Sequence, residues 1–244
     1  MRPLVLVFLL LMVLNLAQVA QNHYLFQSLA SKDELVEELT VKLNEKEKEL
    51  REQEERLLEA ERKIIALERN KKWIYALGVS EGRGIAIKLY VERSPGEGRI
   101  LVDTKNVLLE TDVQSAMRNA LAAAQNLTGI EVKEDIVFTV VNPLPDSIVL
   151  TGESAGAAMA IAIVALIENK DIKKNVVITG AVTRNGKIVK VSQIESKAQA
   201  ALEAGAEILL VPKGQSIGIS LEGLKIVEVE SLAEAREYML YQRL

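Results

Sequence analysis

Residues 155–167 run without a single charged or hydrogen-bonding side chain. The run reads as a helix that is apolar on every face, and such a helix has to be buried all round. It is too short to cross a bilayer, which takes about 20 apolar residues. It therefore belongs inside a globular core.

The segments around it interleave strand and helix patterns irregularly. Residues 84–91 alternate, with Ile85, Ile87, Leu89 and Val91 on one face. Residues 98–103 read as their partner strand across Ser94-Pro95-Gly96-Glu97-Gly98. A helix capped by Thr111 is expected over 111–126, then strands over 135–141 and 147–150. A hairpin of 175–183 with 187–191 follows, turning at Arg184-Asn185-Gly186. The pattern closes with a helix over 193–204 stopped by Gly205, strands over 208–211 and 224–229, and a helix over 231–242. This order predicts one compact α+β (mixed α/β) domain over 73–244.

The turn into the buried helix is Gly152-Glu153-Ser154-Ala155-Gly156. A serine in G-x-S-x-G between a strand and a helix has the form of a nucleophile elbow. Gly152, Ala155 and Gly156 leave room for a substrate backbone. Amides following the serine lie at a helix N-terminus, where they can stabilise an oxyanion. Serine is also a common helix N-cap, and the pentapeptide alone leaves both readings open. The chain has one histidine, His23, far outside the domain, which excludes an esterase of the α/β-hydrolase type. It has no cysteine, so neither thiol chemistry nor the usual zinc centre is expected, and no cofactor or metal is called for.

A base for Ser154 has to come from another residue type. Lys197 shares one helix face with Ile194, Ala198, Ala201 and Gly205. On such a face a lysine either snorkels to the edge of the core or loses its charge through desolvation. A neutral lysine is a competent base toward a serine hydroxyl. Physics alone leaves both outcomes open.

Residues 152–213 resemble the proteolytic domain of the Lon protease family. The matching features are Gly152-x-Ser154-Ala155-Gly156, the apolar helix after it, and Thr179-Gly180-x-Val182-Thr183. They continue with Gly186-Lys187-Ile188-Val189, Lys197, Ala200-Ala201, Ala204-Gly205 and Val211-Pro212-Lys213. Looser similarity reaches back to about residue 84 and includes none of the first 70 residues. The resemblance implies a Ser–Lys dyad with Ser154 as nucleophile and Lys197 as general base, 43 residues apart (197 minus 154) as in that family. It implies that Thr179 orients the lysine. Glu153 stands where archaeal-type members often carry an acid; it either influences Lys197 or is a solvated turn residue. Asp146 in Pro145-Asp146-Ser147 either faces the substrate cleft or serves the turn.

The chain also departs from the family. Ser192-Gln193 stand where members usually show two glycines, and Thr151 and Ala181 where bacterial-type members carry an acid. No G-x-x-x-x-G-K-[ST] phosphate loop occurs in the sequence.

The first 70 residues have two parts. Residues 3–22 are uncharged and just long enough for a transmembrane anchor. The rival reading is a cleaved signal peptide, although cleavage after Ala20 would place Gln18 where a small residue is wanted. With Arg2 ahead of the span, an anchor would make a single-pass protein of the cell membrane with its catalytic domain on the extracytoplasmic side. In residues 24–70, Leu29, Val36, Leu43, Leu50, Leu57 and Ile64 recur every seven residues with no Gly or Pro between them. That period predicts a coiled-coil stalk. Its second seam, Lys32, Leu39, Lys46, Gln53, Ala60 and Leu67, is half polar. A solvated spacer helix is the alternative, but it would leave the apolar stripe in water.

Taken together, the expectation is an ATP-independent serine endopeptidase at the membrane, hydrolysing unfolded or flexible protein substrates. The resemblance adds a homo-oligomer, commonly a hexameric ring. The alternative is a catalytically degenerate Lon-like module serving as a membrane-tethered scaffold or peptide binder, motivated by Ser192-Gln193. A net charge of −4 argues against a nucleic-acid partner.

Overall fold

The computed structural model describes residues 2–103, 107–142, 148–216 and 218–242. Two compact units divide the chain, residues 1–63 and 64–244. Asp146 lies outside the described residues.

One helix, α1 (Arg2–Asn70), accounts for the first unit and runs on into the second. The recurring Leu29, Val36, Leu43, Leu50, Leu57 and Ile64 are all exposed along it. Ion pairs one turn apart, Glu38–Lys42 and Glu59–Lys63 among them, support its polar faces. Among the described residues, no helix is long and apolar enough to cross a membrane. Asn15, Gln18, Gln21 and Asn22 interrupt the apolar run with amides that a bilayer core would leave unsatisfied. This corrects the anchor expected over 3–22 and the single-pass placement with an extracytoplasmic domain.

The second unit is mixed α/β. Strands β1 (Lys71–Ser80) and β2 (Arg83–Ser94) form a hairpin across Glu81-Gly82. Both turn residues have positive φ, the conformation that matches the twist of a two-residue hairpin. After β3 (Ile100–Asp103), β4 (Val107–Leu109) and α2 (Thr111–Thr128) comes β5 (Asp135–Val141), and the main sheet runs β1-β2-β5-β3. The expected pairing of 84–91 with 98–103 is therefore corrected, because β5 lies between them. Asp135 explains the detour. Its buried carboxylate accepts from the amides of Glu97 and Arg99 and from the Arg99 guanidinium. The loop thus crosses the start of β5, and β3 lands parallel on its far side. The N-cap of α2 is Glu110 rather than Thr111.

Helix α3 (Gly156–Glu168) is the run of apolar residues read from the sequence, and Gly156 through Leu166 are all buried. After it come β7 (Val176–Ile178), β8 (Ala181–Val182), β9 (Ile188–Val189), α4 (Ile194–Glu203), β10 (Ile208–Pro212), β11 (Lys225–Val229) and α5 (Leu232–Met239). The hairpin expected from 175–183 with 187–191 is only the short β8–β9 pair. Upstream, β7 leaves it to join the parallel sheet β11-β10-β7. The chain changes sheet at Thr179-Gly180, where the Thr179 amide still bonds the Leu210 carbonyl in β10 but the Gly180 amide turns to Ser154.

Candidate active site

Strand β6 (Ile148–Leu150), paired in parallel with β4, delivers the chain into the serine turn. Gly152 has φ +85°, a left-handed conformation open to glycine at little cost. The Ser154 carbonyl accepts from the Gly180 amide at 2.9 Å, and the Gly180 carbonyl accepts from the Ala157 amide at 2.9 Å. Gly180 has to be this bare, because a β-carbon there would lie 2.8 Å from Ile188 Cγ2. The turn is therefore bonded to the residue that follows Thr179.

Ser154 is not a helix cap. Ala155 occupies the N-cap position of α3, and no side chain caps that end. The Gly156 amide is committed to the Glu153 carbonyl at 2.9 Å. Of the amides following the serine, that of Ala155 is the first candidate to face a developing oxyanion.

Lys197 is 4% exposed on α4, beside buried Ile194, Ala198 and Ala201. Burial pushes its amine below the ordinary lysine value of 10.5. Burial is the cause of that shift, and among the described residues no carboxylate offsets it. The residue as a whole is buried, which favours the desolvated reading over the snorkelling one. Thr179 is fully buried, and its hydroxyl oxygen has no hydrogen-bond partner among the described residues. An unpartnered buried hydroxyl is uncommon and calls for an explanation. Glu153 is exposed, which fits a solvated turn residue.

Ser154, Gly152 and Ala155 open onto a small cleft of about 50 Å³. Its walls are apolar: Leu77 from β1, Leu89 from β2, Val113 and Met117 from α2, Val140 from β5 and Met159 from α3. Neither Lys197 nor Thr179 lines it. Among the described residues, no group of three or more His, Cys, Asp or Glu could hold a metal ion.

Two features of the site had no sequence signal that pointed to them. Asp112, in the first turn of α2, accepts a hydrogen bond from the Gly152 amide. An acid there reads as ordinary helix-dipole chemistry, and its reach across 40 positions is a property of the fold. The cleft walls are the second, since they come from five elements whose apolar residues look like any other core. At the head of α4, Gln193 has φ +57°, a left-handed position that glycine adopts more readily.

A sequence model of the Lon protease (S16) C-terminal proteolytic domain matches residues 113–240. The chain is 28% identical over 158 residues to the archaeal Lon protease of Thermoplasma acidophilum, covering 63% of this chain and 23% of that one. It is 23% identical over 172 residues to the archaeal Lon protease of Archaeoglobus fulgidus, covering 66% and 27%. The Lon protease of Fervidobacterium nodosum is 26% identical over 162 residues, covering 62% and 20%. The chain thus spans about a quarter of the length of the curated relatives it matches.

Proposed function

From the premise that this chain belongs to the Lon protease family, we propose that it is a serine endopeptidase working without ATP. Its substrates are unfolded or flexible proteins, and Ser154 and Lys197 are its dyad. The observation that carries this reading is the buried, unneutralised Lys197 in a domain whose one elbow serine caps no helix. The family match includes both residues and Thr179.

In this reading the neutral Lys197 amine takes the proton from the Ser154 hydroxyl as its oxygen attacks the peptide carbonyl carbon. The Ala155 amide donates to the resulting oxyanion. As the carbon–nitrogen bond breaks, the Lys197 ammonium returns the proton to the departing amine. Water, deprotonated by the same lysine, then hydrolyses the acyl ester. Thr179 keeps a buried hydroxyl that bonds no described residue, and in this reading it takes the lysine amine as its partner only as the reaction proceeds. The apolar cleft receives the side chain on the acyl side of the cut bond.

The sequence contains no phosphate loop, so nothing in it would pull folded proteins apart. The exposed heptad stripe of α1 finds its partner in further copies of the chain as a coiled coil over 24–70, and the proteolytic domains over 73–244 assemble as a ring, hexameric by family analogy.

Casein degradation by the full chain without ATP tests the reading. Wild type is expected to degrade casein and Ser154→Ala to leave it intact. Degradation that survives Ser154→Ala overturns the assignment. No degradation by either favours the degenerate scaffold.

A further inference from the structure

The serine turn is held from two sides. On one side are the paired bonds to Gly180, at 2.9 Å each. On the other is α2. The Glu110 amide, at its N-cap, donates to the Leu150 carbonyl at 3.1 Å, which fixes the end of β6. Two residues on, one oxygen of Asp112 accepts from the Val113 amide at 2.7 Å, which locks the carboxylate's rotation. The other oxygen accepts from the Gly152 amide. A charged acceptor makes this bond stronger than an ordinary amide pair.

We infer that Asp112 is a positioning residue for Ser154: by holding the Gly152 amide it sets the orientation of the turn and so of the serine hydroxyl. This rests on the proposal that Ser154 is the nucleophile. The pivot is Gly152 itself. Its φ of +85° reverses the chain two residues before the serine. No atom of the described residues stands within 4 Å of where its β-carbon would be, so its positive φ is what calls for glycine there. A glycine peptide with open space around it rotates easily unless bonded. Among the described residues, the Asp112 bond is what ties that peptide to a rigid element by a side chain. Releasing it lets the nucleophile wander, and a misplacement of about 1 Å costs up to about a hundredfold in rate.

The test uses the full chain and a fluorogenic peptide with leucine on the acyl side. For Asp112→Ala, kcat is expected to fall about tenfold to a hundredfold with KM nearly unchanged. Asp112→Asn has one oxygen for the two amides, so it keeps the Gly152 bond only by giving up the Val113 one, and it is expected to recover part of that loss. Amide exchange at Gly152 should quicken in Asp112→Ala and not in Asp112→Asn. Wild-type kcat in Asp112→Ala, or Asp112→Asn as slow as Asp112→Ala, overturns the inference. If wild type shows no Ser154-dependent cleavage, the nucleophile assignment fails separately, and exchange decides alone. Faster exchange confined to the serine turn then upholds the Asp112 tether, and unchanged exchange refutes it.

Discussion

The carbonyl oxygen of Ser196 lies 1.8 Å from where a β-carbon of Gly84 would stand. Helix α4 is thus seated with its backbone directly on β2, and Lys197, the next residue, takes its depth from that contact. Ala200 Cβ presses on the same point, 3.1 Å from the absent β-carbon. The obstacle is mainly backbone, which cannot swing aside as a side chain can.

Gly84→Ala should therefore lift α4 off the sheet. Overpacking of this kind costs about 1–3 kcal/mol. The domain is expected to melt lower, and peptide cleavage to fall further than lost stability explains, because Lys197 moves with the helix. Thermal melting together with kcat at a temperature where the variant remains folded checks both parts.

Lys197→Met should abolish cleavage without unfolding the domain. A general base contributes about 10²–10⁴ in rate. Methionine fills the same buried space with no charge to desolvate, so the melting temperature should hold or rise. The pH dependence has a definite sign. Burial lowers the amine below 10.5, so between the folded value and 10.5 the unfolded chain binds more protons than the folded one. Stability contributed by this site therefore rises with pH through that window, and the penalty is complete below it. Cleavage should rise along the same limb as the amine loses its proton. Denaturant titrations across that window should show the slope in wild type and lose it in Lys197→Met.

How much of this was readable beforehand differs between the two halves of the site. Ser154 and Lys197 stood out because each breaks its surroundings: a serine between small residues before an all-apolar run, and a lysine on an alanine face. The buried helix α3 was plain for the same reason. Asp112 and the Gly84 contact did not stand out, since an acid in a first turn and a glycine at a strand start are ordinary locally. Sequence adjacency favours β2 as the neighbour of β3, whereas a single buried acid, Asp135, carries the chain past it. The leucines of the N-terminal run favour a span, while its amides at 15, 18, 21 and 22 weigh against one.

The cleft should select for apolar residues. Its wall of Leu77, Leu89, Met117 and Met159 offers no partner to a charge. Peptides with leucine or methionine on the acyl side are expected to exceed those with aspartate by about a hundredfold or more in kcat/KM, since an unpaired buried charge is costly. A fluorogenic peptide series varied at that one position measures it.

Gln193 holds a left-handed conformation at φ +57° and caps α4 without a side-chain bond. That conformation costs a non-glycine residue about 1–2 kcal/mol, partly offset by glycine's greater freedom when unfolded. Gln193→Gly is expected to raise stability by about 0.5–1 kcal/mol. Denaturant midpoints of the two proteins, at equal slope, give the answer.

The dyad itself is tested most directly by a peptidyl phosphonate diester with leucine beside phosphorus, which captures an activated serine. Intact-mass and peptide mass spectrometry would follow wild type, Ser154→Ala and Lys197→Met. The account predicts one adduct per wild-type chain, on Ser154, none in Ser154→Ala, and labelling in Lys197→Met slowed by about a hundredfold or more. An adduct on another residue, or Lys197→Met labelled as fast as wild type, would contradict it.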